Sequence, residues 1–225
     1  MEKYLLMAAG GMGKRMGAEM PKQFIPLNGI PLLIHTLRSF NFMENLQLVL
    51  VLPESLQEEW NKLCNLHEYK VPHQIAPAGP TRYHSVKSGL NLVPDGHLVA
   101  IHDGVRPFAS QETVRRCFKL AESRGNAIPV VPVGESVRIY RQTSNQSINR
   151  QNLVWVQTPQ VFHSTLIRKA YRQPYDEHFT DDASVVEKLG ETIYLTEGNR
   201  ENIKITDHFD LMTAENFIIQ KARQD

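Results

Sequence analysis

Tyr4-Leu5-Leu6-Met7-Ala8-Ala9-Gly10-Gly11-Met12-Gly13-Lys14-Arg15-Met16-Gly17 runs from an apolar segment straight into a glycine loop. Apolar residues bounded by glycines read as a buried first strand. A loop poor in side chains lets backbone N–H groups approach a phosphate chain. Three cations stand in or just beyond it: Lys14, Arg15 and Lys22, the last within Pro21-Lys22-Gln23-Phe24. Glycines with cations suit a nucleotide triphosphate. A dinucleotide fingerprint is excluded, because its third glycine falls on Met16 and Gly17 comes one residue late. A P-loop is excluded too: Gly13-Lys14 is followed by Arg15, where a Ser or Thr must hold magnesium.

Outward from this loop, strand-like and helix-like segments alternate. Leu46 to Leu52 is a continuous apolar run of the kind buried on both faces of a parallel sheet, and His97 to Ile101 resembles it. In Ala127 to Val133, Pro129 and Pro132 push the segment towards an edge or irregular strand. Helical patterns lie between: Pro31 to Phe40, with Leu33, Leu37 and Phe40 on one face; Glu54 to Leu66; and a helix capped by Ser110 that turns Val114, Phe118 and Ala121 inward. Thr206 or Asp207 caps a final helix carrying Leu211, Ala214, Phe217 and Ile218. The alternation implies a parallel or mixed sheet with helices on both faces. Gly134 to Asn152 departs from it: polar and alternating, with a Thr143-Ser144-Asn145-Gln146 turn, it reads as a hairpin with little core of its own. Such a hairpin either packs on a partner, a second subunit being the simplest, or is a surface loop.

Bulk properties narrow the class. The 225 residues suit one domain, numbered 1–225. Hydrophobic content of 41% and charged content of 22% are those of a globular domain. With 25 basic and 24 acidic residues, bulk charge points to neither nucleic acid nor a membrane surface. Cys64 and Cys117 stand far apart and read as buried thiols of a reducing compartment. The apolar run before the glycines is too short for a signal segment, so the cytoplasm is the expected location.

Further clusters carry chemistry. In open α/β sheets ligands gather beyond the carboxyl ends of strands. Asp103, within His102-Asp103-Gly104-Val105-Arg106-Pro107, stands at such an end. A carboxylate facing a triphosphate acts as a magnesium ligand, or else pairs with Arg106 to organise the turn. His102 reads as a hydrogen-bonded structural residue. Gly79-Pro80-Thr81-Arg82-Tyr83-His84-Ser85 is a loop entering a helix, where Ser85 can contact a base or ribose, or simply cap or pack. Thr180-Asp181-Asp182-Ala183-Ser184 looks like a capped helix start. In Glu201 to Thr206, Lys204 sits between Ile203 and Ile205 as if in mid-strand, either solvated or directed at phosphate.

Taken together and in this order, these clusters resemble the 2-C-methyl-D-erythritol 4-phosphate cytidylyltransferases of isoprenoid precursor synthesis. The resemblance rests on the glycine loop with Arg15, Pro21-Lys22-Gln23, Arg82 with Ser85-Val86 and Gly89-Leu90, and His102-Asp103 with Arg106-Pro107. It continues through Arg150, Thr158-Pro159-Gln160, Thr180-Asp181 and Asn202-Ile203-Lys204. It implies a Rossmann-like nucleotidyltransferase fold: a mixed, mostly parallel sheet with helices on both faces and a protruding hairpin arm, 134–152, exchanged in a homodimer. It implies CTP and a sugar-alcohol phosphate as substrates and Mg2+ as cofactor. By the same resemblance, Ala8, Ala9, Gly10, Gly11 and Gly13 wrap the CTP phosphates. Arg15 and Lys22 stabilise charge, while Gly79 and Ser85 contact cytosine or ribose. Arg82, Gly104 and Arg106 join the binding set, and Asp103 lies near metal and sugar phosphate. Arg150, from across the dimer, and Lys204 position the methylerythritol phosphate, with Thr180 nearby. Two departures stand out: Pro80 replaces a polar residue common in relatives, and Gly104 an alanine. A ribitol 5-phosphate enzyme is the nearest alternative. The Ser85-Val86, Gly89-Leu90 and Thr180 to Ser184 patterns favour the methylerythritol enzyme.

Overall fold

The computed structural model describes residues 1–11 and 20–221. Gly13, Lys14 and Arg15 of the glycine loop therefore lie outside the described residues.

The first strand, β1 (Lys3–Ala8), leads into the glycine loop. A 3-10 turn at Lys22–Phe24 follows, then the two short strands β2 (Pro26–Leu27) and β3 (Ile30–Pro31), and α1 (Leu32–Arg38). The next unit is β4 (Leu46–Leu52), α2 (Gln57–Leu66), β5 (Gln74–Pro77) and α3 (Arg82–Leu90). Then come β6 (Leu98–Asp103), α4 (Gln111–Arg124) and β7 (Asn126–Pro132). The arm is β8 (Val137–Arg141) and β9 (Ser144–Ile148). The chain closes with β10 (Val154–Val156), β11 (Gln160–His163), α5 (Ser164–Ala170), α6 (Asp182–Glu187), β12 (Leu195–Glu197) and α7 (His208–Lys221).

The main sheet runs β7–β11–β6–β1–β4–β5, with β10 and β12 completing it against β7. β4, β1 and β6 pair in parallel, Met7 lying level with Leu50 on one side and His102 on the other. β11 inserts antiparallel between β6 and β7. Alternation along β1 decides the layers. Leu5 and Met7 join Leu50, Leu52 and Ala100 under α1, α2 and α4, where Leu33, Trp60 and Phe118 fill the space. Tyr4 and Leu6 join Val49, Val51 and Ile101 under α3, α5 and α6, packed by Val86, Ile167 and Val186. Each fully buried aliphatic chain is worth about 1.5–3 kcal/mol, so each face carries a substantial core of its own. α3 lies close enough that a Cβ on Gly89 would stand 2.7 Å from Val51 Cγ2 and 2.8 Å from Leu6 Cδ1.

The expected caps are in place. Ser110 accepts the N–H of Thr113, and Asp181 accepts that of Ser184 in a reciprocal capping box. Cys64 and Cys117 are free thiols, with burial pushing them up to about 11 and about 12. The arm forms its own two-stranded sheet, with Ile139 and Tyr140 exposed; it turns at Gln142 and Thr143, so Ser144 to Gln146, expected in the turn, already pair in β9. Among the described residues, no helix is long and apolar enough to cross a membrane.

Two expectations are corrected. For Ala127 to Val133 the edge reading falls and the irregular one stands: β7 is paired on both sides despite its prolines, with a break in one ladder. Val130 O accepts from Gly198 on one side, while Pro129 O accepts from Gln157 on the other. Because a strand residue points its nitrogen and carbonyl the same way, the missing N–H of Pro129 faces Gln157–Pro159, where β10 gives way to β11 and ladder bonds are interrupted. Pro132 is the last residue of the strand. Glu201 to Thr206, second, is no strand: Ile205 N donates to Val105 O, and the segment forms no ladder. Lys204 is placed by that bond, by the anchoring of Asn202 on Thr158, and by a charge.

Candidate active site

The carboxyl ends of β1, β5 and β6 open on one side of the sheet, as the topology dictates. There they border a cavity of about 540 Å³. Ala8, Ala9, Gly10 and Gly11 form one wall with Lys22 and Gln23; Gly79, Pro80, Thr81, Arg82 and Ser85 form another; Asp103, Val105 and Lys204 close it. The two walls approach closely. A Cβ on Gly10 would stand 2.8 Å from Ala78 Cβ and 2.9 Å from Ser85 Oγ, so only glycine leaves that approach open. Gln23, buried, donates its amide to Ala9 O at 2.9 Å and so pins the β1 exit. Lys22 lies against Gly11, where a Cβ would be 3.3 Å from its Cε.

Asp103 is the electrostatic centre. It ends β6 and is 6% exposed. Its Oδ1 receives Arg82 Nε at 3.3 Å; its Oδ2 receives Arg106 Nε at 3.2 Å and Lys204 Nζ at 3.0 Å. Burial alone would raise this carboxyl, but the charges of Arg82, Lys204 and Arg106 overcome it and hold the group well below the ordinary carboxylate range. Arg82 is shared with a second carboxylate, Asp182, but Arg106 and Lys204 against Asp103 still leave the crevice positive, as a phosphate site requires.

The arginines are themselves anchored. Arg106 Nη1 donates to Asn202 O at 2.8 Å. Arg82 presents both terminal nitrogens to Asp182, at 2.9 and 2.7 Å. Asp182 is fully buried and also accepts the Tyr171 hydroxyl at 2.6 Å. His102 is fully buried too, its Nε2 3.0 Å from Arg106 O and its Nδ1 3.0 Å from the Thr158 hydroxyl. Burial pushes its pKa down to about 4. It is structural, and offers the cavity no base.

Two further chambers adjoin the first. One of about 260 Å³ is bordered by Arg82, Asp103, Arg106, Thr158, Thr180 and Lys204. The other, about 640 Å³, lies at the root of the arm beside Arg106, Trp155, Arg200, Asn202 and Lys204. Lys204 borders all three.

Most expected site residues thus converge: Ala8 to Gly11, Lys22, Gly79, Arg82, Ser85, Asp103, Arg106, Thr180 and Lys204. Ser85 is spent locally, accepting Gly79 N–H at 3.0 Å and donating to Gly79 O at 3.3 Å. Gly104 sits behind the wall, donating to Ala8 O and accepting from Thr36, rather than facing the cavity. Arg150 borders none of the three chambers within its own chain; it donates to Gly134 O at the root of the arm. Arg15 and Gly13 lie outside the described residues. Sequence reasoning missed Asp182. Its signal was that Asp181 already satisfied the cap, leaving a second acid at the helix start with no local use. Among the described residues, no three His, Cys, Asp or Glu side chains gather as a metal site.

Comparison with known proteins identifies the family and the fold. The family model described as IspD, 2-C-methyl-D-erythritol 4-phosphate cytidylyltransferase, matches residues 4–221. The chain is 51% identical over 210 residues to the 2-C-methyl-D-erythritol 4-phosphate cytidylyltransferase of Bacteroides fragilis, covering 93% of this chain and 96% of that one. It is 48% identical to that of Porphyromonas gingivalis, covering 95% and 96%. The crystal structure of the Thermus thermophilus protein of the same name superposes with a TM-score of 0.78 at 30% identity, covering 96% and 98%. At 24% identity, a 4-diphosphocytidyl-2C-methyl-D-erythritol synthase structure from Anaerococcus prevotii shares the fold, with a TM-score of 0.83 over 97% and 96%.

Proposed function

The chain belongs to the 2-C-methyl-D-erythritol 4-phosphate cytidylyltransferase family, and from that premise we propose how its residues carry out the reaction. The enzyme joins CTP and 2-C-methyl-D-erythritol 4-phosphate to give 4-diphosphocytidyl-2-C-methyl-D-erythritol and pyrophosphate, in isoprenoid precursor synthesis. A phosphate oxygen of the sugar phosphate attacks the α-phosphorus of CTP in line, and pyrophosphate leaves. The nucleophile is already ionised at pH 7, because the second pKa of a phosphate monoester is about 6. No base is needed. The barrier is anion meeting anion, so catalysis is positioning and charge stabilisation.

The observation that carries this reading is the trio of cations on Asp103 beside a glycine-lined wall. CTP lies along Ala8 to Gly11, with its base towards Gly79 and Ser85. Lys22 and Arg15 follow the charge developing on the phosphates, the role of Arg15 resting on the sequence resemblance. The sugar phosphate occupies the chamber of Arg106, Thr180 and Lys204, and Arg150 reaches it from the arm of a second subunit. The exposed, coreless hairpin supports that dimer. Magnesium binds through one or two carboxylates with phosphate and water. Asp103 is the carboxylate bordering the cavity, but its oxygens already accept Arg82, Arg106 and Lys204, so the ion would be held chiefly through phosphate and water, and would supply neutralisation of phosphate charge. The cytoplasm is the proposed location.

Pyrophosphate release from CTP in magnesium tests this. Methylerythritol phosphate should be the efficient acceptor; higher efficiency with ribitol 5-phosphate would reverse the choice of substrate. Lys22→Ala and Lys204→Ala should each lower kcat by roughly 10²–10³ with folding preserved. Near-normal turnover in either would overturn the site.

A further inference from the structure

We infer that Asp182 is a positioning residue for this reaction, acting through Arg82 to set the orientation of Asp103. Arg82 has three donor edges facing carboxylates. Its two terminal nitrogens are fixed bidentately on Asp182, at 2.9 and 2.7 Å, and only Nε is left for Asp103 at 3.3 Å. A guanidinium fork prefers to engage one carboxylate or phosphate with both nitrogens. Facing Asp103 or a triphosphate alone, Arg82 would do so. Asp182 prevents it.

Asp182 is well placed for the task. It is fully buried at the first turn of α6, so its charge cannot turn to solvent. Tyr171, itself 2% exposed, donates to its Oδ1 at 2.6 Å. The helix start is locked in turn, because Gln160 donates to Asp181 and accepts from Ala183. A buried carboxylate with a bidentate arginine and a tyrosine is fully satisfied, whereas removing one partner strands the other. Two consequences follow. The charge of Arg82 is balanced by Asp182, so Arg82 is a strut and not a phosphate clamp. Asp103 is held at Oδ1, which leaves Oδ2 facing Arg106 and Lys204.

The inference rests on Asp103 and Lys204 belonging to the reacting site. The test is steady-state kinetics of Asp182→Asn and Tyr171→Phe, each checked by circular dichroism and thermal melting. Asp182→Asn releases the fork into the cavity. It should lower kcat by roughly 10- to 100-fold, the scale of a small misplacement, while KM for CTP stays level or falls because a cation has been freed. Tyr171→Phe, the gentler change, should move kcat in the same direction by a few-fold with KM unchanged. In an Asp103→Asn background, Asp182→Asn should cost no further turnover. Independent, additive losses would overturn the inference. So would a raised KM for CTP at constant kcat, which would make Arg82 a phosphate ligand. If Asp182→Asn fails to fold, unchanged kcat in Tyr171→Phe is enough to overturn it. Lys204→Ala separates the two levels: normal turnover there sinks the site itself, whereas its loss with normal turnover in the Asp182 and Tyr171 variants sinks only the strut.

Discussion

Thr158 donates its hydroxyl proton to Nδ1 of His102 across 3.0 Å and accepts the backbone N–H of Asp103 at 3.2 Å. The orientation follows from the far side of the ring, where Nε2 faces Arg106 O and must carry the proton. His102 is therefore neutral, and a second proton would find its place taken by Thr158.

That arrangement makes stability depend on pH in one direction. Burial lowers His102 from 6.5 to about 4. A depressed histidine stabilises the fold fully above the unfolded value and loses that contribution as pH falls towards the folded one. Between pH 7.5 and pH 5 the loss from this group is about 2 kcal/mol. Urea unfolding at both pH values should show it in the wild type. His102→Gln, which cannot titrate, should lack that part of the loss; an equal loss in both proteins would exclude His102 as the source.

The close approach of α3 to the sheet predicts an unusual glycine effect. In a helix, alanine is favoured over glycine by about 1 kcal/mol. At Gly89 the added methyl would meet Val51 and Leu6 inside 3 Å, and overpacking costs about 1–3 kcal/mol. Gly89→Ala should therefore lower the melting temperature. Gly134→Ala, whose Cβ meets nothing within 4 Å, serves as the neutral control. A stabilised Gly89→Ala protein would show that α3 can shift away from the sheet.

Exchange of arms can be read by mixing variants. If Arg150 serves the partner's site, Arg150→Ala and Lys204→Ala subunits are each inactive alone. Each hybrid dimer nevertheless carries one site with both residues intact. Random mixing should restore roughly a quarter of wild-type activity. No recovery, with subunit exchange verified by mass, would place Arg150 in its own subunit's site.

Features decided by neighbouring residues were legible in the sequence. Ser110 and Asp181 cap because their side chains reach an N–H three residues on, and β4 declared itself by an unbroken apolar run. Gly10 and Gly11 beside the crevice, Asp103 at a strand end, and the polar hairpin belong to the same class. What distant chain segments decide was not legible. Whether Pro129 breaks a sheet depends on where β10 stops, nearly thirty positions later. Asp182 is 100 residues from Arg82, and a local capping pattern concealed its use. Lys204 looked like part of a strand because Ile203 and Ile205 flank it, yet its position is set by Val105 and Asp103.

Lys204 borders every chamber of the crevice, and one ammonium cannot be shared out without loss. If nucleotide and sugar phosphate take the chambers proposed for them, both approach the same positive point and each feels whether the other is present. Affinity for the two substrates is then linked through this side chain, and alteration at position 204 should disturb both.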